Sequence, residues 1–134
     1  MMESQFQWVQ ARAECSAAKI FHLLKSQVTH DVELRNEMAT GQGYKFGTHF
    51  ERNTFVVFLD SMFHMENPYR LVRFFLEGEQ ISARYGNDAI IWTARLTLDD
   101  SGKCRLKIGD KLFELWQVSY MALEKLFFEI IKPA

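Results

Sequence analysis

The sequence predicts an α+β fold: a curved antiparallel sheet of about six to seven strands gripping a long C-terminal helix. Three observations carry this. Between Tyr44 and Ile108, alternating apolar runs follow one another across short turns, the pattern of an antiparallel meander. From Asp110 to Lys132 no Gly or Pro interrupts, and apolar residues cover about half the circumference of a helix drawn at ~100° per residue. The chain enters through an alternating run that leads into a short capped helix. A sheet of this many strands curls because its twist accumulates, and the helix can fill the concave side.

In order, Phe6 to Glu14 reads as a strand, with Phe6, Trp8, Ala11 and Ala13 apolar and a slip of register near Val9 and Gln10 that a bulge would absorb. Ser16 is an N-cap. Ala17 to Lys25 is a short amphipathic helix with Ile20, Phe21 and Leu24 on its buried side. A second short helix or turn covers His30 to Met38, and Thr40 to Gly43 is a loop. The strands are Tyr44 to Phe50, Thr54 to Asp60, Tyr69 to Leu76, Gln80 to Tyr85, Ala89 to Leu98 and Lys103 to Ile108. Ile90, Trp92, Ala94, Leu96 and Leu98 share one face, and Asp99 to Gly102 is the turn before Cys104, Leu106 and Ile108 face inward. On the last helix, capped by Asp110 and stopped by Pro133, the stripe is Leu112, Trp116, Leu123, Phe127 and Ile130.

At 134 residues the chain is expected to form a single domain over 1–134. Its 48% apolar and 25% charged content is ordinary for a globular protein. A net charge of −1 argues against a general nucleic-acid or membrane-surface footprint. Aromatic content of 14%, twelve of the residues Phe, implies a bulky core or an aromatic-lined hollow. Cys15 and Cys104 are expected to be reduced and unlinked. The start of the chain has no cationic region followed by an apolar core, and no apolar run reaches the ~18 residues of a membrane span, so a cytoplasmic location is expected.

The entry Cys15-Ser16-Ala17-Ala18-Lys19-Ile20-Phe21, from strand through a small-residue step into a helix, resembles that of the START-like superfamily of Bet v 1 and polyketide cyclase relatives. A hairpin followed by a long helix at the close is similar too. The resemblance implies a helix-grip fold with a hydrophobic cavity between sheet and last helix. The weak second helix and the long loop from Ser61 to Pro68 depart from that pattern, and a cystatin-like or NTF2-like cone sheet is the alternative.

No catalytic signature stands out. His22, His30, His49 and His64 show no metal-ligand spacing, and His49 with Glu51 makes only an incomplete pair, so neither a metal nor another cofactor is expected. Ser61 and His64 cluster with acids but lack a nucleophile elbow, which favours a solvated loop. Arg95, Lys103, Arg105 and Lys107 form a basic row of the kind strand-outer faces carry for solubility.

The leading expectation is binding of a small apolar or lipid-like ligand in the cavity, lined by Phe46, Phe58, Tyr85, Trp92, Trp116 and Tyr120. One alternative is a cyclase- or hydratase-like enzyme using His49 or Tyr120, for which a shifted titration would speak. Another is a protein-interaction module, for which a solid core and an exposed apolar patch would speak. Val118, Met121 and Phe128 interrupt the polar arc of the last helix and mark a candidate interface, with a homodimer as one explanation.

Overall fold

The computed structural model describes residues 5–61 and 67–130. Two helices come first, α1 (Trp8–Glu14) and α2 (Ala17–Met38). Seven strands follow: β1 (Tyr44–Phe50), β2 (Thr54–Ser61), β3 (Leu71–Glu77), β4 (Gln80–Tyr85), β5 (Ile90–Leu98), β6 (Cys104–Ile108) and β7 (Lys111–Phe113). A 3₁₀ turn at Pro68–Arg70 precedes β3. The last helix, α3 (Leu115–Glu124), runs on through a π-helical turn at Lys125–Glu129. The strands form one sheet in chain order, every neighbouring pair antiparallel. The α+β class, the antiparallel meander and the C-terminal helix therefore stand.

Period-two alternation sends Phe46, Phe55, Val57, Leu59, Val72, Phe74, Ile81, Ala83, Trp92, Ala94, Leu96 and Leu106 to one face, where all are buried. Both α2 and α3 cover that face: α2 packs on β1, β3 and β4, and α3 on β5 and on α2. Each large apolar side chain taken out of water there contributes roughly 1.5–3 kcal/mol. Apart from Ser82, which is buried, the opposite face is half-buried or exposed. On it the Phe58 ring lies over its cross-strand partner Gly47, where a Cβ would collide with it.

Four expectations are corrected. Phe6 to Glu14 is not a strand: Trp8–Glu14 is α1, which buries no residue. Its Ala, Gln, Arg and Glu are good helix formers, and the imperfect alternation had no strand to pair with. The two short helices are one, α2, of 22 residues. Its buried stripe, Ile20, Phe21, Leu24, Val28, Val32 and Arg35, keeps helical spacing past the polar middle. There Thr29 Oγ1 donates to the Lys25 carbonyl (2.8 Å) and Gln27 Nε2 to Asp31 (3.1 Å), so the polar side chains are satisfied without breaking the helix.

The last helix begins later than expected. Gly109, with φ +60°, and Asp110 turn β6 into β7, so Asp110 is a hairpin residue and not a cap. Glu114 is the N-cap, and its N–H donates to Gln117 Oε1 (2.8 Å), one arm of a capping box. With Leu112 and Phe113 in a strand, the helix turns a different face inward: Val118, Ser119, Ala122, Leu123, Leu126 and Phe127 are buried. Small Ser119 and Ala122 allow close approach, and Trp92 Nε1 donates to the Val118 carbonyl at 3.0 Å.

Cys15 and Cys104 are joined in a disulfide, tying the start of α2 to β6, so the expectation of reduced, unlinked thiols is overturned. The alternating pattern of one end and the hairpin of the other gave no sign that the two would meet. Disulfides persist in oxidising compartments, which removes the cysteine argument for a cytoplasmic setting. No helix among the described residues is long and apolar enough to cross a membrane. At the β1 edge, Asn36 from the end of α2 pairs with the backbone of Phe46: its Nδ2 donates to the Phe46 carbonyl (2.9 Å) and its Oδ1 accepts from the Phe46 N–H (2.7 Å).

Candidate functional site between α2 and α3

The space between sheet and helices, expected to be a cavity, holds packed aromatic rings. Phe55 lies on Phe74 with centroids 4.5 Å apart, Phe21 on Phe55 at 5.1 Å and Phe46 on Phe127 at 4.8 Å. Of the expected lining, Phe46 and Trp92 do face this space, but as packing. Tyr85 is half-buried, edge-on to Tyr69 at 4.7 Å, and burial, then the neighbouring Tyr69 and Glu129, raise its pKa. Phe58 lies on the opposite face of the sheet. Trp116 and Tyr120 point away from the sheet, because the inward face of α3 is Val118, Ala122 and Leu126.

The expected interface residues are likewise divided. Val118 is fully buried against the sheet, Met121 is half-buried, and Phe128 is exposed. The π-helical turn accounts for the last. Ile130 N–H donates to the Lys125 carbonyl (3.1 Å), five residues back, and across this turn Phe127 goes inward while Phe128 goes out.

What these outward residues line is an open groove with about 280 Å³ of room, running between α2 and α3. From α2 come Asp31, Leu34, Arg35 and Met38, spaced three, four and seven residues apart and so on one helical face. From α3 come Trp116, Ser119, Tyr120, Leu123 and Glu124, with Phe127 and Phe128 beyond. The walls are apolar and the floor is polar. Ser119 Oγ donates to Asp31 Oδ2 at 2.6 Å, fastening the two helices together.

Arg35 is 8% exposed, which for arginine is unusual. Its Nε donates to the Phe127 carbonyl (3.0 Å) and its Nη2 to the Tyr44 hydroxyl (3.1 Å). The rings of Tyr44, Phe46 and Phe128 surround the guanidinium at 5.1–5.5 Å. Sequence reasoning missed Arg35 because a charge at the end of an apolar stripe reads as a break. The one available signal was its position three residues after Val32, in phase with that stripe.

A tether sets the mouth of the groove. Trp116 Nε1 donates to Glu114 Oε2 (3.1 Å); Arg105 bridges Glu114 Oε1 (3.1 Å) and Asp99 Oδ2 (2.9 Å). Hydrogen bonds from Ser101, then from the Lys103 backbone, hold the Asp99 carboxyl well below the usual carboxylate range, with Arg105 adding to them. Tyr120 titrates above an ordinary phenol, because its hydrogen bond to Glu124 and that carboxylate's charge favour the neutral form.

His49 and Tyr120 are not brought together. His49 is exposed beside Glu51 at 3.4 Å, on the strand face away from the helices, whereas Tyr120 lines the groove. His64 lies outside the described residues, and with it the Ser61–His64 cluster. Among the described residues no group of three His, Cys, Asp or Glu is placed to hold a metal ion. In the basic row, Arg105 is neutralised by the tether.

The chain matches no family model, no curated protein and no solved structure.

Proposed function

We propose that the protein binds a small hydrophobic ligand in the groove between α2 and α3, with Trp116 and Tyr120 among its walls. The START-like resemblance gives the motive to look for such a ligand, and the groove between the helices offers room for one where the sheet–helix space holds packed rings. The observation that carries the reading is the built floor: a buried Arg35 and the Asp31–Ser119 bond beneath apolar walls. Few, fixed polar groups in an apolar concavity are what small-ligand sites have.

The test is titration with an uncharged naphthylamine dye that fluoresces in apolar surroundings. Saturable one-site binding is expected, and Leu34→Glu should weaken it at least tenfold while leaving the melting temperature within about 2 °C. Dye binding that is absent, or indifferent to Leu34→Glu, refutes the reading.

A second reading rests on exposure. Met38, Phe128 and Trp116 are 66%, 58% and 56% exposed, an apolar surface beside a filled core, and a second copy of the chain packed twofold on α2 and α3 would cover it. Light scattering decides it. A dimer abolished by Phe128→Glu, in a protein that takes up no dye, supports the interface in place of the ligand.

A further inference from the structure

We infer that the occupant of this groove is an organic acid, an apolar chain or ring ending in a carboxylate, and that Arg35 receives its head. This rests on the ligand reading above. A buried charge is unfavourable unless it is paired, and a buried arginine ordinarily faces an acid. Arg35 faces none: no carboxylate among the described residues lies within ion-pair distance of it. Its two hydrogen bonds go to neutral oxygens, the Phe127 carbonyl and the Tyr44 hydroxyl. A guanidinium has five N–H donors in one plane, so three remain without a protein acceptor among the described residues.

The acids that line the groove are already engaged. Asp31 accepts from Ser119 and from Gln27, and the Glu124 carboxylate holds the Tyr120 hydroxyl. Those partners are neutral donors, and Arg35 is the one basic residue among the described residues that line the groove. Rings stand around the guanidinium, and a carboxylate approaching its edge would meet two parallel N–H donors, the geometry arginine offers and lysine does not. The apolar remainder of the ligand would then lie along Leu34, Trp116 and Phe128.

The experiment compares 11-(dansylamino)undecanoic acid with its methyl ester on the whole chain at pH 7.5. The acid is expected to bind about tenfold or more tighter than the ester, the worth of a charge-assisted hydrogen bond. In Arg35→Met the acid-to-ester affinity ratio should fall to about one, and in Arg35→Lys it should lie between. Acid and ester binding alike to the native protein overturns the inference and leaves the ligand reading standing. Neither binding overturns both. Should Arg35→Met fail to fold, the acid-to-ester ratio of the native protein decides alone, and a ratio near one is the refuting result.

Discussion

Breaking the Cys15–Cys104 bond should lower stability more than any surface change. The two cysteines are 89 residues apart, so the bond closes most of the chain into a loop. In the chain-entropy treatment a loop of that size restricts the unfolded state by about 15 cal/mol/K, or roughly 4–5 kcal/mol at 25 °C. An unfolding entropy of ~2 cal/mol/K per residue over 134 residues is about 0.28 kcal/mol/K. The melting temperature should then fall by up to about 16 °C, and by roughly 7 °C if the bond contributes only ~2 kcal/mol. Cys15 is 1% exposed, so the protein should be unfolded, reduced and refolded under reductant before the scan. Calorimetry with and without reductant is the assay, and the double variant Cys15→Ser, Cys104→Ser is the control that reductant must not affect. If reductant moves the native protein no more than the control, and mass spectrometry after alkylation finds both thiols free beforehand, the cross-link is not part of the working protein.

Three further outcomes follow from the packing. Trp92→Phe removes the buried hydrogen bond to the Val118 carbonyl and should cost about 1–3 kcal/mol in urea unfolding, whereas Trp116→Ala should cost under about 1 kcal/mol; equal losses would mean that α3 is oriented otherwise. Glu114→Ala removes the cap and the bridge to Arg105 and should cost about 1 kcal/mol, with a shift in Trp116 emission as its indole N–H loses its acceptor. Because the folded pKa of Asp99 lies below its unfolded value, its contribution is complete above about pH 4 and is lost as pH falls toward the folded value; Asp99→Asn should flatten that part of an acid-denaturation profile.

Strands β1 to β6 were legible because each condition for reading them was local. Alternation in β5 placed Trp92, Ala94 and Leu96 inward, and turns such as Asp99–Gly102 fixed the connections. The helices were harder. On α3 apolar residues also fall outside the expected stripe, at Val118 and Met121, so periodicity alone did not orient it; the choice fell to small Ser119 and Ala122 and to the bond from Trp92, all tertiary facts. Counting Leu112 and Phe113 as helix biased the stripe toward Trp116. The groove was half legible: Trp116, Tyr120 and Phe128 were singled out, for a different place and purpose. Arg35 and the disulfide depend on contacts between distant segments, which a one-dimensional pattern does not carry.

The pairing of Asn36 with Phe46 bears on how copies of this protein can meet. An amide that gives and takes hydrogen bonds at a backbone site imitates the next strand of a sheet. Any chain adding itself to β1 would have to expel that amide first, and Phe46 is near the middle of the seven-residue edge. The other rim, β7, offers only three residues as a template. Growth by strand addition is thus obstructed at both ends, and the sheet is steered away from fibrillar stacking even though its sequence is rich in phenylalanine and valine.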